Sequence, residues 1–544
     1  MPALRPDRDG DWWRDAVIYH VYLRSFADSD GDGIGDLPGL LSRLDYLRGG
    51  EHSLGADTVW VSPFFPSPQA DYGYDIADHL GVDPAYGSLS DVTQLIGELR
   101  RRDMRLIIDL VLNHTSTEHP WFAESRSDRD SARRGWYFWR PPAPGGGPPN
   151  NWLSAFASQG TAWTFDEATG EYYLSSFTPA QADVDLRHPA ARQAMWQVVR
   201  TWLERGVDGF RVDVAHRLMK DPALADNPAA VAAERRHVSG NGARQHNFDH
   251  QDTTALLAEL RQLIDAAGGT SVGEVPIHDH ARLARYYGSP AGLHMLFTFG
   301  LWDVPWQAEA FRAEVEAVEA SLPGHGWPCY ALSNHDIPRL TDKYGGGPGG
   351  EARCRVAAVF LLTVRGTPCL YYGEEIGLTP SIAPGSPDGD DVDGRDPQRT
   401  PMQWEPGGGF TAGRPWLPPG AEPERRNVAT QAADPGSLLS LYRRLIRLRA
   451  ASQALRRGSY RTAQAPGGVL AYWREKDGEK FLIALNFTSE PRLVSAGGAS
   501  LAPVLSSHAA GPALDGGGIS LRPDEAVIAR AVPAGSGPAG SGPA

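Results

Sequence analysis

The chain has 544 residues, 41% of them apolar and 22% charged, which is enough to bury one large core and at least one smaller one. Acidic side chains outnumber basic ones, 66 to 52, and the resulting net charge of −14 repels phosphate backbones and anionic lipid surfaces, so neither nucleic acid nor a membrane is an expected partner. Cys329, Cys354 and Cys369 are too few and odd in number for a disulfide framework, and they read as small buried hydrophobes.

The N-terminal run MPALRPDRDGDWWRD has no apolar stretch suited to a signal peptide, and no run of about 18 apolar residues follows it, so cytoplasmic residence is expected. Strand-like runs then begin at Ala16 (AVIYHVYL), Asp57 (DTVWVSPF), Arg105 (RLIIDLVL), Val207 (VDGFRVDV), Thr270 (TSVGEV), Leu293 (LHMLFTF), Cys329 (CYALS) and Thr367 (TPCLYYG), with helical patterns between most of them, as from Leu89, Ala190 and Thr253. Eight βα units with continuously apolar strands favour an α/β fold in the form of a closed (β/α)8 TIM barrel over an open doubly wound sheet. The stretch after the third strand, rich in Trp, Pro, Gly and Asp, is too long for a loop and implies an inserted subdomain. Beyond the eighth strand, GVLAYWREK, KFLIALNF and EAVIARAV look like antiparallel strands of a small β domain. The expected division is therefore a barrel over 1–113 and 187–453, an insertion over 114–186, a C-terminal β domain over 454–535 and a flexible tail from 536.

Three acidic residues fall at or just past the ends of apolar runs: Asp213 in GVDGFRVD, Glu274 in TSVGE and Asp336 in YALSNHD. A core needs no carboxylates there, and a barrel keeps its chemistry at that edge. Near the start, DSDGDGIGD places Asp28, Asp30 and Asp32 at alternate positions, then Ile34 with a backbone oxygen, then Asp36. Hard oxygen donors at this spacing suit a structural Ca²⁺, or Mg²⁺ with waters completing the shell, although the distal Glu of an EF-hand is missing and a plain acidic turn has the same composition.

The runs DLVLNH (Asp109 to His114), GFRVD (Gly209 to Asp213), GEV (Gly273 to Val275) and SNHD (Ser333 to Asp336) resemble, in order, the four signature regions of the α-amylase family of glycoside hydrolases. YGYDIADH from Tyr72, LYYGEEIGL from Leu370 and RTPMQW from Arg399 are similar to the oligo-1,6-glucosidase and α-glucosidase branch. The resemblance implies that Asp213 is the nucleophile, Glu274 the general acid/base and Asp336 the stabiliser of an oxocarbenium-like transition state. It further implies that Asp75, His114, His335 and Arg399 bind the terminal glucose, with an Asp75–Arg399 pair closing one end of the subsite. Arg211, two residues before Asp213 on the same strand face, is placed to hold that carboxylate ionised. The expected activity is retaining, exo-acting release of glucose from short α-1,4 and α-1,6 gluco-oligosaccharides.

Two departures bear on specificity. QADVDL (Gln181 to Leu186) stands where the branch carries a QPDLN-like stretch, and AHRL follows Val214 in place of the usual continuation. Trehalose synthases, sucrose isomerases and amylosucrases share the triad and differ in whether water or a sugar hydroxyl takes the glucosyl unit, so transglucosylation or isomerisation is the alternative. A non-catalytic scaffold, as in the heavy chains of some amino-acid transporters, is disfavoured because all three acids are kept and no span is present.

Overall fold

The computed structural model describes residues 10–228, 246–288, 292–345, 349–383, 391, 394–515 and 517–532; the tail expected from 536 lies outside them. Ile18 pairs with Thr58 on one side and with Cys369 on the other, and this double pairing closes the sheet. Its strands are β1 (Ile18–Val21), β2 (Thr58–Val61), β3 (Arg105–Leu110), β4 (Gly209–Val212), β5 (Thr270–Gly273), β6 (Met295–Phe297), β7 (Trp327–Tyr330) and β8 (Thr367–Tyr371). Each is parallel to its sequence neighbours around the ring, as βαβ connections require. Seven of the eight lie within the apolar runs that predict them, and the seventh in chain order overlaps its run.

The two-residue period of the strands sorts their side chains. Ile18, Trp60, Ile107, Val272, Met295, Trp327, Cys329 and Cys369 fill the barrel, while Tyr19, Val59, Leu106 and Phe210 point outward into the larger core under the helices. One step further along the inward set come His20, Asp109 and Arg211, so the layer above the apolar fill is polar and buried. The helix Leu89–Arg101 begins with a Ser88–Asp91 capping box and buries Val92, Leu95, Ile96 and Leu99. The helix Pro189–Arg205 stops at Gly206, whose φ of 106° is the left-handed conformation that closes a last turn.

Residues 114–116 and 181–183 form a two-stranded antiparallel sheet that ties the two ends of the inserted segment together. Between them, Trp139–Arg140, Glu171–Leu174 and Trp163–Asp166 make a second small sheet. The C-terminal region is a five-stranded antiparallel sheet with a three-stranded companion. The helix Gly350–Thr363 is buried from Cys354 onward because it is covered on more than one side. Its end is fastened by Arg474, which donates to the Thr363 carbonyl and to that of Gly458, and by Arg449, which reaches the Gly366 carbonyl at 2.6 Å. The three cysteines are free and buried. Among the described residues, no helix is long and apolar enough to cross a membrane.

One boundary differs from expectation. The seventh strand runs Trp327–Tyr330 rather than from Cys329 through Ser333, so Asp336 lies six residues past the strand end. The Asn334 side chain holds it there, its Oδ1 accepting from the Asp336 and Ile337 amides at 2.8 and 3.0 Å.

Candidate active site

Arg211 organises the floor of a cavity of about 180 Å³ at the C-terminal end of the barrel. Its Nη1 donates to Asp109 Oδ1 and Asp213 Oδ1, each at 2.6 Å, and its Nη2 to Glu274 Oε2 at 2.7 Å. One guanidinium fork thus holds carboxylates from the ends of three adjacent strands, β3, β4 and β5. Asp109 is fixed from its other side by the Trp60 indole at 2.8 Å. Immediately after Asp213, Val214 adopts a left-handed conformation, φ 35° and ψ 46°, which is strained for a β-branched residue. The turn aims its amide at Glu274 Oε2, 3.0 Å away.

Burial pushes the Asp213 carboxyl well above its ordinary value, with Glu274 and Asp109 pushing the same way and Arg211 opposing them. Arg211 is thus the influence that favours the carboxylate form of Asp213. Asp336 is the opposite case. Burial alone would raise it, but His335, Arg395 and Arg399 outweigh that effect and keep it well below the usual carboxylate value. His335 Nε2 lies 3.1 Å from Asp336 Oδ2, and Arg395 Nη1 lies 3.1 Å from Oδ1. The His335 ring is held between Tyr22 and Tyr74, nearly parallel to both.

His114, His335 and Arg399 all come to this region. His114 lines the cavity, with Nε2 3.1 Å from the Tyr74 carbonyl. Arg399 lies below, in contact with Asp391 at 3.2 Å and with Asp336 at 3.5 Å. Asp75 does not join them. Its carboxylate is consumed by the Ser67 hydroxyl and the Ala70 and Asp71 amides, 2.8 to 3.0 Å away, and it is fully buried behind the loop. The expected Asp75–Arg399 pair is replaced by Asp71 Oδ1–Arg395 Nη2 at 2.6 Å. In each case the partner is a residue four positions earlier in the chain. Tyr72 and Gly73, with φ of 43° and 101°, reverse the chain between the two aspartates and turn Asp71 toward the cavity. Gln181, from the altered QADVDL stretch, donates to Asp71 Oδ2 at 2.9 Å, and Asp183 from the same stretch pairs with the buried Lys220 at 2.7 Å.

In the acidic loop, Asp28, Asp30 and Asp36 bring carboxylate oxygens within 4.8 Å of one another. This is a hard oxygen set of the kind Ca²⁺ takes. Asp32 stays outside that cluster, with its Oδ1 accepting from the Ile34 amide at 2.7 Å. Asp36 also caps the helix Leu37–Ser42 through the Gly39 amide.

Residues 20–458 match the model of the alpha amylase catalytic domain. The chain belongs to the α-amylase family of glycoside hydrolases. Within that family it is 40% identical over 509 residues to a probable alpha-glucosidase of Rhizobium meliloti, covering 90% of this chain and 91% of the relative. It is 35% identical over 527 residues to an oligo-1,6-glucosidase of Parageobacillus thermoglucosidasius, covering 88% and 91%. Among solved structures it is similar to an alpha-glucosyl transfer enzyme, XgtA, with 37% identity, a TM-score of 0.88 and coverage of 96% of this chain and 99% of that one. The carboxylates on Arg211 are thus those of a family 13 glycoside hydrolase.

Proposed function

We propose that this enzyme is a retaining, exo-acting α-glucosidase that releases glucose from the non-reducing end of short α-1,4 and α-1,6 gluco-oligosaccharides. The observation that carries the reading is the single guanidinium bridging Asp213 and Glu274. Two carboxyls spanned by one fork fit the short separation of about 5–5.5 Å that retaining hydrolysis uses, with no room for a water between them. Asp213 attacks the anomeric carbon, forming an ester bond as the bond to the leaving oxygen breaks. Glu274 delivers a proton to that oxygen. Water then attacks the same carbon, Glu274 takes its proton, and Asp213 leaves with the α configuration restored. Asp336, kept ionised by His335, Arg395 and Arg399, stabilises the positive charge that develops in between. The Asp71–Arg395 pair closes one end of the subsite, which favours chain ends over chain interiors.

The likeness to an alpha-glucosyl transfer enzyme supports a second outcome of the same first half-reaction, in which a sugar hydroxyl replaces water. Incubating the purified enzyme separately with maltose, isomaltose, sucrose and trehalose separates the two. Free glucose, first formed as the α anomer by NMR, is expected; new disaccharides as the main product support transfer, and a β anomer sinks the retaining mechanism.

Asp28, Asp30 and Asp36, with Asp32 and the Ile34 carbonyl as the remaining expected donors, would hold Ca²⁺, or Mg²⁺ with more waters, in a structural role that fixes the loop to its helix. Ca²⁺ at a hundredfold excess over its dissociation constant should then stabilise the fold by about 2.7 kcal/mol. A melting temperature unmoved by chelator and by added Ca²⁺ or Mg²⁺ would remove the metal from this account.

A further inference from the structure

Arg217 is, among the described residues, an arginine on the cavity wall with no carboxylate in ion-pair contact, Asp183 and Glu274 acting on it only from farther off. It is only 7% exposed, its Nη1 has no hydrogen-bond partner, and it lines the cavity with Asp213 and Glu274. Arg211 and Arg395, by contrast, are each paired with carboxylates at 2.6 Å. Asp183, the carboxylate with the largest electrostatic effect on Arg217, is taken up by Lys220, Ser176 and Asn113. Burial lowers the guanidinium only to about 10, so it is cationic at neutral pH.

The side chain is also held in place. Its guanidinium carbon lies 5.5 Å from the centroid of the Phe177 ring and 5.3 Å from that of Phe248. Contacts of this kind occupy the flat faces of a guanidinium and leave its in-plane N–H groups available, the geometry that suits a carboxylate or a phosphate. The segment bearing Arg217 is tied to the Glu274 side of the site, since the Ala215 amide donates to the Glu274 carbonyl and the Val214 amide to its carboxyl, both at 3.0 Å. Glu274 faces the departing oxygen, so Arg217 belongs to the leaving-group side. A neutral sugar hydroxyl there would accept a hydrogen bond, whereas a carboxylate or phosphate would also pair with the buried charge directly.

We propose that Arg217 makes the leaving-group side of this cavity a subsite for an anionic aglycone, one carrying a carboxylate or a phosphate ester. The inference rests on the glucosidase reading for where the leaving group sits.

Maltobionate and maltitol test it, because their glucosyl units are attached to the same open-chain aglycone, ending in a carboxylate in the first and in a hydroxymethyl group in the second. Trehalose 6-phosphate against trehalose forms the phosphate arm. At low ionic strength the wild type is expected to favour the anionic member of at least one pair by about tenfold or more in kcat/KM. In Arg217→Gln that ratio should collapse toward one, and Arg217→Lys should keep part of it. The arm that shows the preference identifies the anion. A wild-type ratio of one or below in both arms, or a ratio that Arg217→Gln leaves unchanged, overturns the proposal. Turnover of 4-nitrophenyl α-glucoside reports separately on the glucosidase reading. If that fails, calorimetric binding of the same ligands to Asp213→Asn, with and without Arg217→Gln, still decides between an anion subsite and none.

Discussion

Asp213→Asn is expected to lower kcat by roughly 10⁴-fold or more while leaving the melting temperature equal to or above that of the wild type. The first half follows from chemistry, because an amide cannot form the glycosyl ester on which the two-step mechanism depends. The second follows from the environment of the carboxyl. Burial raises Asp213 well above 3.8, with Glu274 and Asp109 adding to the effect. An acid whose folded value is raised contributes stability only while protonated. That contribution is lost as pH rises through the raised value, and above it the ionised group is a cost of folding. Asn removes the cost and keeps the shape, while Arg211 retains Asp109 and Glu274 as partners. Steady-state kinetics with calorimetry on the same preparation checks both halves. Turnover within tenfold of wild type would end the assignment of Asp213 as nucleophile, and a collapsed melting transition would show that its carboxylate is structural.

The eight strands were legible because a parallel barrel buries both faces of each strand, so apolar runs such as RLIIDLVL stand out whatever the rest of the chain does. The carboxylates gathered on Arg211 were legible for a related reason: Asp213 and Glu274 directly follow β4 and β5, where a polar residue has no packing role. The sugar-side residues were harder. Asp71 and Asp75 are chemically identical and four residues apart in DYGYD. Which one reaches the cavity depends on the left-handed turn at Tyr72 and Gly73, and Tyr72 gives no local signal for that conformation. Arg395 and Arg399 pose the same problem at the ends of one short helical turn, where both reach Asp336 and Asp391. Arg217 shows a third kind of blindness. AHRL reads as an unusual continuation, but only the folded chain shows that its guanidinium is buried, set against Phe177 and Phe248, and, among the described residues, in ion-pair contact with no carboxylate.

Arg211→Met is expected to reduce folding stability by about 3–5 kcal/mol near neutral pH, and the deficit should shrink on acidification. The guanidinium is 2% exposed and is the common partner of Asp109, Asp213 and Glu274. Burial alone would lower its own pKa, but Glu274, Tyr74, Asp109 and Asp213 together raise it well above the ordinary arginine value, so they interact strongly with the cation. Methionine fills much of the volume and removes the charge, leaving these carboxylates buried without a counter-ion. Asp109 and Asp213, already raised by burial, would rise further. The folded variant would then bind protons that the unfolded chain does not. Its stability would fall as pH climbs from the ordinary carboxylate range through the raised values, and recover as pH is lowered again. Urea unfolding of wild type and variant at about pH 7 and about pH 5 measures the difference directly. A deficit that stayed constant, or widened in acid, would mean that the guanidinium acts by filling space, and the electrostatic account of the cavity floor would fail with it.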